Sequence, residues 1–376
     1  MAETHKPATV IPHHIAALDG LRAFAIIAVI LLHCCAYYLA ANSILAEAAS
    51  TLWIGVDLFF ALSGFLITGI LLDGLQKPYF FKRFYWRRGL RIWPLYYTFI
   101  IFVWAVHRSV FAGLGFAPFA LYYRNFLGPD WTSDKYIGQF WSLCVEEQFY
   151  LIWPLVIYFL PKRFRMSLIV FLMVFAFGAR IYLAWIGMDI YRIFRLPFCH
   201  MDGLLAGAAV AVLTRQGMKD SKLKKICATA VSLGSIGMIV VWLFPQRLNL
   251  MVLPLAISFI SLLFGGVVGL CARNAGTMTS AVLGSPFLRA ISTRSYAMYV
   301  FHLVPLYVSV SFLKHMNATP VKLFPVLLLI IGIGVVTYGL AWLSWKYLEE
   351  PFLRLKKWEW FAKATTVASG NTSLSD

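Results

Sequence analysis

Long apolar runs recur from one end of this chain to the other, and a membrane is the only solvent that suits them. About 20 apolar residues rise ~30 Å as an α-helix, the thickness of a bilayer's hydrocarbon core. Ten such spans are expected, at about 22–41, 52–73, 92–108, 140–160, 166–187, 195–214, 226–244, 249–271, 295–313 and 323–345. Of the 376 residues, 61% are hydrophobic and only 13% charged, more apolar surface than a soluble domain of this size can bury. The fold class expected is therefore an all-α polytopic membrane protein. One transmembrane domain is expected over 1–360, followed by a short polar, disordered tail over 361–376. The apolar, Gly-rich stretch 111–127 reads as re-entrant or interfacial.

The Lys and Arg residues set an orientation. Twenty-four fall on one side of the ten spans and eight on the other, and Arg180 inside the fifth span completes the 33. Both termini are then cytoplasmic. The net charge of +17 follows from this bias and from attraction to anionic headgroups; no nucleic-acid motif is present. The N-terminal stretch lacks the basic-then-apolar layout of a secretory signal, so the first span is expected to stay uncleaved. The six cysteines sit in or beside apolar spans without a CxxC pair and read as packing residues, and no metal site is expected.

Ionisable residues inside the spans point to chemistry. Arg22 and His33 bracket the first span, with ten apolar residues between them. Eleven helical steps are close to three turns, so both lie on one face, ~16 Å apart along the axis. Other spans add polar groups at similar depth: Asp57 in GVDLFFALSGFL, Ser142, Glu146 and Glu147 in WSLCVEEQFYLIWP, His200 and Asp202 in RLPFCHMDGLLAG. Tyr296, Tyr299 and His302 follow at period three on one face. Carboxylates in lipid must be neutral or paired, so a shared polar chamber is the economical arrangement, against scattered structural pairs. Ser142 and Glu146 are one turn apart. A carboxylate beside an imidazole makes it a better general base, whereas Ser142 also has a bland reading, a hydrogen bond to the carbonyl four residues back in its own helix. Arg180 is expected to pair with one of the buried carboxylates, and Asp19 to cap the first span.

YFFKRFYWRRGLRIWPLYY interleaves cations with aromatics. It reads either as an interfacial amphipathic segment or as an anion site. Arg88 and Arg91 are three apart on one face, and two guanidinium forks suit phosphates, with Arg22 available to join them.

Together these motifs resemble the membrane-bound acyltransferase-3 family, whose members O-acylate carbohydrates and other acceptors. The resemblance runs through LDGLRA (18–23), the Arg22–x10–His33 spacing, GVDLFFALSGFLI (55–67), RRGLRIWPLYY (87–97), WSLCVEEQFYLIWP (141–154), MDGLLAG (201–207), SYAMYVFH (295–302) and LEEPF (348–352). His200 stands where many members carry a basic residue, commonly Arg, ahead of the Asp-x-Leu motif. The chain resembles the stand-alone type, without an appended SGNH-type domain. The resemblance implies a multi-pass protein of the inner (cytoplasmic) membrane that takes acyl-CoA, usually acetyl-CoA, from the cytoplasm. It implies phosphate binding by Arg88 and Arg91 with Arg22, and His33 supported by Glu146 as general base or transient acyl carrier. The chamber would be lined by Asp57, Ser142, Asp202, Tyr299 and His302. The acceptor would be a hydroxyl of a glycan or glycolipid such as exopolysaccharide or lipopolysaccharide. The competing reading is a transporter of an anionic solute with a His/Glu/Asp proton relay; it calls for broken helices at matching places in two halves, and the sequence shows no such repeat.

Overall fold

The computed structural model describes residues 15–39, 43–128, 134–244, 251–273, 277–317 and 323–357. The expected tail over 361–376 lies outside the described residues. Among these residues the chain is helical and contains no strand. The longer helices are α1 (Ala16–Tyr38), α2 (Ile54–Gly74), α3 (Phe80–Val106), α4 (Phe140–Phe159), α5 (Lys162–Trp185), α6 (Asp202–Arg215), α7 (Asp220–Leu243), α8 (Val252–Arg273), α9 (Pro286–Phe301), α10 (Leu303–His315) and α11 (Leu323–Ser344). This is the all-α, polytopic architecture that the apolar runs require.

The helices differ from ten uniform spans in instructive ways. Seven helical stretches, those holding α1, α2, α3, α5, α7, α8 and α11, are long and apolar enough to cross a membrane singly. The pair α9 and α10 makes an eighth, bent by 51°. Pro305 explains the bend, because it has no N–H to give the Phe301 carbonyl and its ring crowds that turn. The sixth expected span is broken into the short turns Ile190–Arg195 and Pro197–His200 followed by the 14-residue α6. A helix of that length rises only ~21 Å. The fourth, α4, has the length at 20 residues, but Ser142, Glu146, Glu147 and Gln148 lower its apolarity. In the other direction, α3 starts twelve residues ahead of the expected third span and places the whole cation–aromatic stretch on a helix. Likewise α1 begins at Ala16, so Asp19 lies in its first turn instead of capping it.

The helices cluster into two compact units. The first comprises residues up to Ala28, Trp53–Gly69 and Lys162–Thr293. Its apolar core joins Leu18 and Leu21 of α1, Leu58 and Leu62 of α2, Val210 of α6, Leu223 of α7 and Val268 of α8. Helices α2 and α6 touch backbone to backbone: a Cβ at Gly64 would collide with the Leu204 carbonyl, and one at Gly207 with the Ala61 carbonyl. Close approach of this kind is how helices gain dispersion energy in lipid, where burial from water drives nothing.

The second unit comprises Val29–Leu52, Ile70–Pro161 and the chain from Arg294 onward. Within it the stretch 111–127 folds as short turns against α3 and α4. The Tyr96 and Tyr97 hydroxyls donate to the Phe119 and Ala120 carbonyls at 2.7 and 3.0 Å. The Gln148 amide of α4 donates to the Tyr122 carbonyl at 2.7 Å and pairs with the Asn125 amide. Backbone carbonyls at the ends of these short helical turns are thereby satisfied by protein.

Candidate active site

His33 and His302 meet in the second unit. The C-terminal part of α1 is held to α10 by two short hydroxyl pairs, Tyr37 to Tyr307 and Tyr38 to Ser309, each 2.5 Å. One turn back from Tyr37, the His33 ring stands edge-to-face with that of His302, centroids 5.0 Å apart and planes at 61°. Each ring spends Nδ1 on its own helix: His33 donates to the Val29 carbonyl at 2.8 Å, and His302 to the Tyr299 carbonyl at 2.8 Å. A carbonyl only accepts, so Nδ1 carries the hydrogen in both rings, and Nε2 is the basic nitrogen of the neutral forms. His302 is 1% exposed, and its Nε2 meets no hydrogen-bond partner among the described residues. A buried polar atom left so is rare and costly.

A scaffold of short hydrogen bonds fixes the neighbours of His302. The Tyr299 hydroxyl lies 2.5 Å from Ser142 Oγ and 2.8 Å from the Gln139 carbonyl. Ser142 Oγ also reaches the Gln139 carbonyl at 3.2 Å, three residues back instead of the expected four. Gln139 in turn donates to the Val300 carbonyl at 3.0 Å, tying the start of α4 to the end of α9 just before the bend.

Further along α4 come the carboxylates. Glu146 lies within electrostatic reach of Tyr299 and of Arg88. Glu147 takes a hydrogen bond from the Trp93 indole and is also near Arg88. The Arg88 guanidinium stacks over the Tyr150 ring, 5.5 Å from its centroid. From Ser142 to Tyr150 the rise along α4 is ~12 Å. One unit therefore carries a polar track from the histidine pair to the arginines of α3.

At the arginine end, Glu350–Arg354 and Leu355–Lys357 pack against α3. Burial, and then Arg91, Arg88 and Arg87 beside it, pull the Lys356 ammonium down to about 8. Cations gathered so tightly favour an anion among them. Lys356 had no signal in the sequence beyond its charge. Gln139 had only its place at a span boundary, and Glu147 was turned from Glu146 by about 100° of helix.

The remaining candidate residues lie in the first unit. Arg22 is on α1 there, 3.8 Å from the Asp19 carboxylate. Asp202 receives a fork from Arg180, at 2.7 and 2.8 Å, which is the pairing expected of Arg180. Arg180 also donates to the Cys199 carbonyl at 2.6 Å and to Ser258 Oγ at 2.6 Å. Asp57 Oδ1 accepts from His200 Nε2 at 2.9 Å, and His200 Nδ1 donates to the Phe194 carbonyl at 2.7 Å. The residue standing ahead of the Asp-x-Leu motif is thus the partner of Asp57.

Comparison with known proteins supplies the lineage. The chain is 29% identical over 369 residues to a putative peptidoglycan O-acetyltransferase, YrhL, of Bacillus subtilis, an alignment covering 90% of this chain and 55% of that protein. It is 26% identical over 383 residues to the O-acetyltransferase OatA of Staphylococcus aureus, covering 93% and 59%. It is 27% identical over 372 residues to the peptidoglycan O-acetyltransferase OatA of Listeria monocytogenes, covering 90% and 56%. The chain therefore spans a little over half the length of these relatives. No solved structure matches it. Residues 15–346 match the acyltransferase domain of the acyltransferase-3 family, and the chain belongs to that family.

Proposed function

We propose that this protein is a membrane O-acetyltransferase that moves an acetyl group from acetyl-CoA to a hydroxyl of a surface glycan. The observation that carries the reading is the pairing of His33 with His302, each held with Nε2 as its basic nitrogen. Three relatives named as O-acetyltransferases, two of them of peptidoglycan, make peptidoglycan the first acceptor to try. Exopolysaccharide and lipopolysaccharide are the further arms.

The residues fit the donor. Arg88 and Arg91, with Arg87 and Lys356 beside them, would hold its phosphates by charge-assisted hydrogen bonds. Arg22 belongs to the first unit, where it lies 3.8 Å from Asp19. The thioester end would lie toward His33, whose Nε2 serves as base or acyl carrier. Glu146 would stabilise positive charge developing near the histidines, while the Val29 carbonyl sets the ring's tautomer. Tyr299 and Ser142 would line the acceptor side. Asp57 and Asp202 are read as first-unit framework, because His200 and Arg180 engage them. Both termini would be cytoplasmic, in the cytoplasmic membrane.

The test is purified protein with radiolabelled acetyl-CoA and each glycan in turn. Label should reach a glycan with wild type and not with His33→Ala. Arg88→Ala/Arg91→Ala should lose donor binding, which His33→Ala should keep. Unchanged transfer by His33→Ala sinks the assignment.

A further inference from the structure

His302 is the buried group that the reading above leaves without chemistry. It sits at the bend between α9 and α10, the point where a crossing helix is interrupted. Interrupted helices in membrane proteins are tolerated where they build a site. The residue is 1% exposed, its Nδ1 is committed to the Tyr299 carbonyl, and its Nε2 meets no donor among the described residues. Tyr299 is itself locked by Ser142 and Gln139, so the ring has little freedom to turn and find one. The structure thus holds a second imidazole lone pair beside His33, in a place where leaving it unpaired is costly.

Two basic nitrogens so close are redundant if one base does everything. His33 would take the acceptor's proton and return it to the leaving thiolate, and His302 would have no part. They are not redundant if His33 carries the acyl group, because its Nε2 is then blocked and its Nδ1 hydrogen faces a carbonyl that cannot take it.

We propose that the two histidines divide the reaction, with His33 Nε2 as the acyl carrier and His302 Nε2 as the base that takes the proton of the acceptor hydroxyl. This rests on the donor and acceptor classes proposed above. In the first half the His33 Nε2 lone pair attacks the thioester carbon. The carbon–sulfur bond breaks, the thiolate leaves, and His33 holds the acyl group as an acyl-imidazolium with Nδ1 still protonated. In the second half the hydroxyl proton passes to His302 Nε2 as the oxygen attacks the acyl carbon. The bond from that carbon to Nε2 breaks, neutral His33 is restored, and the proton on His302 matches the one the thiolate takes up. Thioester and alcohol become ester and thiol, with no oxidant or reductant.

The experiment uses the full chain in detergent, with labelled acetyl-CoA first without and then with glycan. Wild type without glycan should release about one CoA per protein in a burst and keep the acetyl label on His33, located by peptide mass spectrometry. His302→Gln should keep the burst and the label but pass it to glycan roughly 10²–10⁴-fold more slowly, the usual worth of a general base. His302→Asn retains a donor where Nδ1 stands and so preserves the contact with Tyr299. It should be as slow as His302→Gln if the proton is the point, and near wild type if His302 only braces the bend. Recovery in His302→Asn, loss of the burst in both variants, or wild-type turnover that never labels His33 would each overturn the division of roles. Absence of CoA release from wild type under every condition would instead sink the donor reading itself.

Discussion

His200 and His302 are both buried histidines, 0% and 1% exposed, and their surroundings could hardly differ more. His200, in the first unit, has both nitrogens engaged, Nδ1 by the Phe194 carbonyl and Nε2 by Asp57. Nearby Asp202 receives both arms of Arg180, and Ser258 closes the group. Opposite charges face each other there, although Asp57 Oδ2 and Arg180 Nε meet no hydrogen-bond partner among the described residues, and such a network specifies structure. His302, in the second unit, has one nitrogen engaged and one without a partner. Unsatisfied buried groups cost stability, and they persist where something else is selected for. Burial and residue type do not separate the two histidines; the partner list does.

That contrast can be broken experimentally. The largest effect expected is on transfer in the second unit. His33→Ala should lower acetyl transfer roughly 10²–10⁴-fold while its melting in detergent stays close to wild type. A large loss of stability with transfer per folded molecule intact would reverse the comparison. Next comes stability in the first unit. Arg180→Ala strands the Asp202 carboxylate at 1% exposure and should cost about 3–5 kcal/mol of stability. Arg180→Met combined with Asp202→Leu should recover most of that loss, read by thermal melts. If Arg180→Ala melts like wild type yet fails to transfer, the first-unit network is part of the site.

The smaller effects sharpen the arginine end of the second unit. Arg88→Ala removes a charge-assisted donor worth about 1.5–3 kcal/mol, so the KM for acetyl-CoA should rise at least tenfold with kcat little changed. A kcat loss at constant KM would move Arg88 from donor binding to chemistry. The smallest effect concerns Lys356, whose ammonium burial and neighbouring arginines hold down to about 8. Below that pH Lys356 is charged and adds to anion binding, and above it the charge is lost. Donor affinity should therefore weaken as pH rises from 7 to 9, with proton uptake on binding near pH 8. Lys356→Met should flatten that profile; an unchanged slope would assign it to another group.

Much of the architecture was legible as periodicity. Apolar runs near 20 residues imply helices because lipid leaves the backbone no other partner. The errors lie where side-chain chemistry interrupts the run. Pro197, His200 and Asp202 break the sixth span, and Pro305 bends the ninth. The site was partly legible too, since Tyr299 and His302 share a face by spacing and Arg88 with Arg91 by the same rule. The partner of His33 was not. A carboxylate was the natural candidate, and the structure puts the Val29 carbonyl on Nδ1 and an imidazole against the ring.

Composition and spacing alone indicate a helical membrane bundle with His33 on the first helix and a basic cluster on another, and the motifs in order along the chain resemble the acyltransferase-3 family. Those properties are local: helical rise, apolar length and the order of motifs along the chain. Which carboxylates are matched, which histidine keeps an unused nitrogen and which lysine joins the arginines are decided only in three dimensions. Ser142 and Tyr299 are 157 residues apart, and Asp57 and His200 are 143 apart. Hydrogen-bond satisfaction depends on contacts of that range, and helical period carries no trace of them.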